Sequence, residues 1–392
     1  MDAVIIAIAT TWHHPLARSH MLLPRLAAIL ALICLGALSG AADPQPGDPS
    51  EIRLKDFRPV SIYQVPQTTV RRARYPVIDF HTHDYAKTAD EVDAWVAAMD
   101  AANVARSIVL TFTSGDEFAA LVARYGRHPD RFELWCDFDY AGYDQPGWSE
   151  RAIAELERCH QLGARGLGEL TDKGMGFKPR KTTATLANLT DTTVGMHIND
   201  ERMKPLLAAC ARLHMPINIH VAEDAWMYQP ADVHNDGLMN GAKWKVDLTR
   251  KGILDHDQLI ATLDDAVGAN PATTFIACHL ANCCSDLSQL ARLFDAHPNL
   301  YADIGARYGE IAPIPRYVHA FLEKYHDRIL YGTDNHYTTG LYPVSFRILE
   351  TADEHFYETG RFGYHWPLYG LALSDETLKA IYNGNSERVL VR

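Results

Sequence analysis

Beyond residue 75, apolar positions follow two rhythms that take turns along the chain. Short β-rich runs stand at 77–81 (VIDFH), 107–112 (SIVLTF), 132–138 (FELWCDF), 164–169 (ARGLGE), 216–220 (PINIH), 274–279 (TFIACH), 299–304 (NLYADI) and 329–334 (ILYGTD). Between them lie stretches such as ADEVDAWVAAMDAAN, SERAIAELERCHQLG, ERMKPLLAACARLH and DLSQLARLFDAHP, whose apolar residues recur every three or four positions. A period of two alternating with a period of 3.6 predicts strands joined by helices, hence an α/β chain with a parallel sheet. Eight such units predict a (β/α)8 TIM barrel, with a doubly wound open sheet as the alternative.

The polar residues sit where a barrel would use them. Five of the eight runs end in a group able to bind metal or move a proton: His81, with His83 just beyond, Glu169, His220, His279 and Asp334. In a (β/α)8 barrel the C-terminal strand ends form the active-site mouth. Strict alternation puts Asp79, His81 and His83 on one face of their strand and Ile78 and Phe80 on the other. By the same rule His220 lies opposite Ile217 and Ile219, and His279 opposite Ile276 and Cys278. Each candidate ligand is thus expected to face the barrel axis while its apolar neighbours, Cys278 included, pack under the helices.

The rest of the chain adds context. Connections 170–199, 221–255 and 335–376 are long for a compact domain and are expected to shape a pocket over the mouth. Met21 opens MLLPRLAAILALICLGALSGAADP, in which Arg25, an apolar run and small residues follow one another as in a secretory signal peptide. The run is too short for a bilayer span of about 20 residues. Residues 1–41 therefore read as a leader, with Met21 as an alternative start, and 42–75, rich in proline and charge, as an extended arm before a barrel over 76–392. An exported chain, periplasmic or secreted and with no stable membrane span once the leader is cleaved, is the expectation.

Composition narrows the function. With 47% hydrophobic and 22% charged residues the chain has an ordinary globular balance, which excludes a disordered or fibrous protein. The net charge is −12. Cleavage after residue 41 would remove Asp2, Arg18 and Arg25 and make the chain one unit more negative, a poor nucleic-acid binder. The six cysteines beyond the leader lie mostly in apolar stretches without a CxxC or zinc-finger spacing, so buried thiols are expected.

A lone HxH is weak evidence for a metal. On a strand, however, it presents two imidazoles on one face, and a third histidine with an aspartate on later strand ends completes a mixed nitrogen and oxygen site for a first-row divalent ion. Each residue also has a plain structural reading: Asp334 as a helix cap, Glu169 in an ion pair, His279 as a core histidine. Arg307 is suited either to a substrate carboxylate or to an ion pair with Glu310, and Lys173 and Lys178 to an anionic substrate.

Taken with their surroundings these residues resemble the amidohydrolase superfamily, in its amidohydrolase-related branch of metal-dependent hydrolases and decarboxylases. The resemblance spans most of residues 75–392 through VIDFHTH, HPDRF at 128–132, INIHVAED, FIACHLAN, RILYGTDN at 328–335 and IYNGNSERVL at 381–390. It implies a divalent metal on His81, His83, His220 and Asp334, with His279 orienting water or polarising substrate. Zinc is the expected ion, and the same donors accept manganese, iron or cobalt. The carbamylated lysine of binuclear relatives is missing, since the corresponding stretch reads GLGELTDKG, so one ion is expected, with Glu169 as a possible second-metal or substrate ligand. The expected activity is hydrolysis of an amide, ester or lactone carbonyl in a small molecule, with Asp334 and His279 catalytic. Decarboxylation on the same scaffold and a catalytically silent metal-binding barrel are the alternatives, and a homodimer is what the resemblance implies for assembly.

Overall fold

The structure is a computed structural model and describes residues 48–177 and 195–391. The leader and Lys178 lie outside the described residues. The chain divides into two units, Met1–Arg53 and Leu54–Arg392. Of the first, the described part is a short helical turn, Pro49–Glu51, capped by the Asp48 side chain, which accepts from the Ser50 amide.

The second unit holds the eight expected strands: β1 Val77–Thr82, β2 Val104–Leu110, β3 Phe132–Trp135, β4 Leu167–Asp172, β5 Ile217–Val221, β6 Phe275–Ala277, β7 Leu300–Asp303 and β8 Ile329–Leu330. All neighbouring pairs are parallel, in the order β1 to β3 and β4 to β8. Backbone hydrogen bonds close both gaps. Cys136 N to Gly166 O and Gly168 N to Cys136 O join β3 to β4, and Phe80 N to Tyr331 O and Asp334 N to His81 O join β8 to β1. A ring of eight parallel strands with helical connections is the (β/α)8 barrel.

The helices form where capping and periodicity agree. Ala89–Ala102 opens on a capping box between Thr88 and Glu91 and buries Val92, Trp95, Met99 and Ala102, one stripe of a 3.6-residue repeat. His256–Ala269 opens the same way on Asp255 and Gln258. Among the described residues no helix is long and apolar enough to cross a membrane. Residues 57–76 carry no helix or strand. Within that arm Thr68 donates its amide and hydroxyl to Asp353, at 2.7 Å each.

The core has two parts. Ile78, Phe80, Ile108, Leu110, Trp135, Ile276 and Leu330 form one cluster. Apart from Val389 of the C-terminal helix Asn385–Leu390, its members come from β1, β2, β3, β6 and β8, and a closed barrel brings those strands together in its interior. Phe80 meets Trp135 edge to face, with centroids 5.3 Å apart. The larger cluster includes Val77, Val109, Leu134, Leu167, Leu170, Ile217, Ile219 and Phe275 with the helix stripes. Ile78, Phe80 and Ile276 therefore face the barrel interior, the reverse of the alternation expected for them; Ile217 and Ile219 face the helices as expected.

A bulge in β1 accounts for His81 lying on the same side as Phe80, and β4 is irregular in the same way. In β1 the pairs Asp79 with Ser107 and Thr82 with Val109 leave one extra residue on β1, a β-bulge over Phe80 and His81. A bulge resets the alternation, so His81 joins Phe80 on the inner side while Asp79 turns outward to Thr333 and Tyr342. In β4 the pairs Leu167 with Ile217 and Leu170 with Ile219 leave one extra residue at Gly168 and Glu169. Gly168 has φ +138°, and a Cβ there would lie 2.5 Å from the Asn218 carbonyl oxygen, so this step of the bulge requires glycine. The ladder of β4 also opens at Leu167 rather than 164 and runs to Asp172, which places Glu169 inside the strand and not at its end.

Candidate metal centre

Each ring at the mouth is oriented by a fixed acceptor. His81 Nδ1 is 2.9 Å from Asp303 Oδ2, His83 Nδ1 is 2.9 Å from the Leu110 carbonyl and His279 Nδ1 is 2.7 Å from the Gly305 carbonyl. These acceptors place the proton on Nδ1 in all three neutral rings and leave the Nε2 lone pairs for a ligand, the arrangement of metal-bound histidines backed by a carboxylate or carbonyl. Asp303 also accepts from the amides of His279 and Gly305 and from Asn218, so one buried carboxylate ties β1, β5, β7 and the turn after β6 together. Gly332 permits the close fit: a Cβ on it would lie 2.7 Å from the His81 Cβ.

His279 reaches the site by a route that strand alternation does not describe. β6 ends at Ala277, and residues 279–282 then adopt left-handed backbone, with φ of 60°, 55°, 55° and 54°. Four successive non-glycine residues there are held by surrounding contacts: the Asn282 amide donates to the carbonyls of Val221 and Ala222. Cys278, expected to pack under the helices, shares the inner side with Ile276, and its thiol donates to Asn218 at 2.7 Å.

The ligand atoms gather in two overlapping groups. His81, His83 and Asp334 form one and His81, Glu169, Cys278 and His279 the other, with all atoms of each group within 4.8 Å of one another. His83 Nε2 is 3.1 Å and His81 Nε2 3.8 Å from Asp334 Oδ1. Glu169 spans the groups: Oε2 is 3.5 Å from His83 Nε2 and 3.9 Å from His81 Nε2, while Oε1 is 3.5 Å from His279 Nε2. His220, which the resemblance makes a ligand, is in neither group. Its Nδ1 is 2.8 Å from Glu169 Oε1 and 3.1 Å from His279 Nε2, and its Nε2 is turned toward Glu223 at 3.7 Å.

The electrostatics favour a cation. Burial works against a charged His81 ring, but Asp303, Asp334 and Glu169 outweigh it and push the ring up to about 10. Burial likewise opposes ionisation of Glu169 and Asp334, yet the His220 hydrogen bond and the charge of the His220 and His81 rings hold Glu169 well below the usual carboxylate range, and His81 and His83 do the same for Asp334. The field that retains a proton on His81 would equally retain a divalent ion in its place. The buried Nε2 of His81 has no hydrogen-bond partner among the described residues, a costly condition that a bound ion relieves. The donor set of imidazoles and carboxylates thus fits a first-row divalent metal.

A cavity of about 300 Å³ opens beside this cluster, lined in part by His220, His279, Asp334, Lys173, Arg361 and Tyr364. Lys173 is paired with Glu223. Arg307 also lines it, with Nε 3.5 Å from Asp224 and Nη1 3.6 Å from Glu310, so the expected contact with Glu310 is present alongside a second carboxylate. All six cysteines beyond the leader are buried and free, as expected.

The structure therefore gathers His81, His83, Glu169, His279 and Asp334, with His220 one contact behind and Arg307 on the cavity wall. Asp303, Glu223, Asp224 and the inward Cys278 were not singled out as site residues from the sequence. Asp303 carried a usable signal, a carboxylate at the end of the buried run NLYADI. Asp224, four residues past His220, carried none.

Comparison with known proteins agrees with this architecture. Among solved structures, an uncharacterised TIM-barrel protein from Bordetella bronchiseptica is similar at a TM-score of 0.51 and 16% identity, covering 80% of this chain and 98% of the other. A 2,6-dihydroxybenzoate decarboxylase from Rhizobium gives 0.51 and 13%, covering 81% and 98%. A protein from Staphylococcus aureus described as a potential amidohydrolase gives 0.51 and 15%, covering 80% and 99%. At these identities the likeness shows the fold. No curated protein matches the chain. The sequence profile of the amidohydrolase family matches residues 78–392, most of the chain, and the chain belongs to that family.

Proposed function

We propose that the protein is an exported, metal-dependent hydrolase of small carbonyl compounds that carry a carboxylate. The observation that carries this reading is the convergence of His81, His83 and Asp334, each imidazole held by its Nδ1 with Nε2 free, on one side of a cavity. A divalent ion there, zinc being the first candidate, would be held by His81, His83 and Asp334, with Glu169 in reach, and supplies Lewis acidity that polarises a carbonyl and acidifies water. Asp334, held ionised by the imidazoles around it, accepts the proton of the attacking water. His279 is kept neutral, first by burial and then by its cationic neighbours, so its Nε2 is available to orient that water. Lys173 and Arg361 on the cavity wall, each also paired with a carboxylate of the protein, supply N–H donors for a substrate carboxylate. Export is supported by the leader-like segment 21–41.

The same two cations favour a second reading, decarboxylation, in which the bound carboxylate is itself the reacting group. Incubating residues 42–392, reloaded with zinc or manganese, with carboxylated esters, lactones, amides and hydroxybenzoates in ¹⁸O-water separates the two. Label in a product acid supports hydrolysis; carbon dioxide without label replaces it with decarboxylation. Stable metal retention with neither product leaves a binding protein.

A further inference from the structure

Arg307, Asp224, Glu310 and Tyr364 make a second buried ionisable group along the cavity, and the metal cluster does not account for it. They come from three connections: Asp224 from the one after β5, Arg307 and Glu310 from the one after β7 and Tyr364 from the one after β8. One guanidinium stands between two carboxyl groups, 3.5 Å from Asp224 and 3.6 Å from Glu310. Its Nε and Nη2 donate to Asn282 and its Nη1 to the Ala306 carbonyl. Both Asp224 oxygens and Glu310 Oε2 are buried without a hydrogen-bond partner among the described residues. A single buried cation balances a single buried anion, so two ionised carboxylates here would leave one negative charge uncompensated in a low-dielectric wall. Sharing one proton between them removes that charge. Asp224 is intrinsically the stronger acid and stands slightly nearer the guanidinium, whereas Glu310 is the member that lines the cavity.

We infer that Glu310 carries that proton and is the general acid of the site, donating from Oε2 to the leaving atom of a substrate held in the cavity. The inference rests on the hydrolytic reading above. In the step, the bond from the carbonyl carbon to the leaving nitrogen or oxygen breaks and its electron pair stays with the leaving atom, which takes the Glu310 proton. The water oxygen bonds to the carbonyl carbon and a water proton passes to Asp334. Glu310 is left as a carboxylate beside Arg307 with the Tyr364 hydroxyl donating to Oε1 at 2.6 Å; Asp334 releases its proton to solvent and Glu310 regains one from it. Base and acid are thus separate groups. Burial, opposed by Arg307 and reinforced by Asp224, raises the Glu310 carboxyl to about 7, in keeping with the charge count. The charged and titratable groups facing it are Arg307, Asp224 and Tyr364, with Cys284 and Glu223 further along the same cluster.

Two measurements on residues 42–392 test this. The first is the infrared difference between the parent and Glu310→Gln across pH 5 to 8. A protonated-carboxyl carbonyl band at pH 6, lost in Glu310→Gln and moved to lower pH in Asp224→Asn, is expected. No such difference at pH 6 overturns the proton on Glu310, whatever the enzyme hydrolyses. The second is turnover of aryl hemisuccinates from 4-nitrophenyl to phenyl, and of the corresponding succinanilic acids, by the zinc-loaded parent and Glu310→Gln. A loss that grows with leaving-group basicity, to about 100-fold or more for the poorest, is the signature of a missing general acid. An equal loss across the series overturns the catalytic role. If the parent turns over none of them the hydrolytic reading and the donor role fail together, and the infrared result still decides where the proton resides.

Discussion

Glu169 and Glu310 are both buried glutamates beside the same cluster of histidines and cavity, and their surroundings drive them in opposite directions. Glu169 lies among His81, His83, His220 and His279, with four ring nitrogens within 4 Å of its oxygens, and is held well below the ordinary range against the cost of burial. Glu310 shares one guanidinium with Asp224 and is raised to about 7. Burial is common to both, so partner count decides the protonation state: many bases keep one acid ionised, and competition for one cation keeps the other neutral. That separation is what a metal ligand and a proton donor, working within one site, require.

The largest effect that would break the comparison is on stability. Glu169→Gln removes the counter-charge of several buried imidazoles and is expected to cost about 3–5 kcal/mol in urea unfolding of the metal-free protein. Because its folded pKa is depressed, the contribution of Glu169 is present above the unfolded value near 4.5 and is lost as pH falls, so the gap between parent and variant should close in acid. A gap that persists unchanged at low pH would mean that packing, not charge, is what Glu169 supplies.

Glu310→Gln should show the opposite sign. A carboxyl raised from 4.5 to about 7 holds a proton more tightly in the folded state, so the parent loses stability as pH rises through that window. The variant, which cannot ionise, should gain on the parent by up to about 3 kcal/mol between pH 4.5 and 7 and level off above. Thermal unfolding of the two proteins at matched pH reads this directly; parallel curves would contradict the raised value.

The smallest of these effects tests the support behind the ligands. Asp303→Asn leaves His81 in place but weakens the acceptor at its Nδ1, and metal affinity should drop about 10–100-fold in a chelator competition. Asp353→Asn, whose carboxylate binds Thr68 and Arg347 and none of these ligands, should leave that affinity unchanged.

Much of this was legible in the chain. Eight strands emerged from the alternation of β-rich and helical rhythms, and the histidines at their ends marked the mouth, because position at a strand end survives errors in register. Side-chain facing did not survive them. The period of two assumes a regular ladder, and bulges at Phe80 and His81 and at Gly168 and Glu169 each reset it, which is why His81 shares the barrel interior with Phe80 rather than opposing it. Cys278 was misplaced because the register read for β6 put Ile276 outside. His279 faces the site through left-handed backbone that no alternation rule foresees. The Asp224, Arg307, Glu310 and Tyr364 group joins three connections distant in sequence, and of it only the local pair Arg307 and Glu310 was visible.

The central claim is that His81, His83 and Asp334 hold a divalent ion, and elemental analysis of purified residues 42–392 after incubation with zinc and desalting tests it most directly. His83→Ala and Asp334→Asn, each checked for an unchanged circular dichroism spectrum, serve as comparators. The account predicts about one ion per chain in the parent and little in either variant. A parent that retains no ion, or variants that retain as much as the parent, would contradict it.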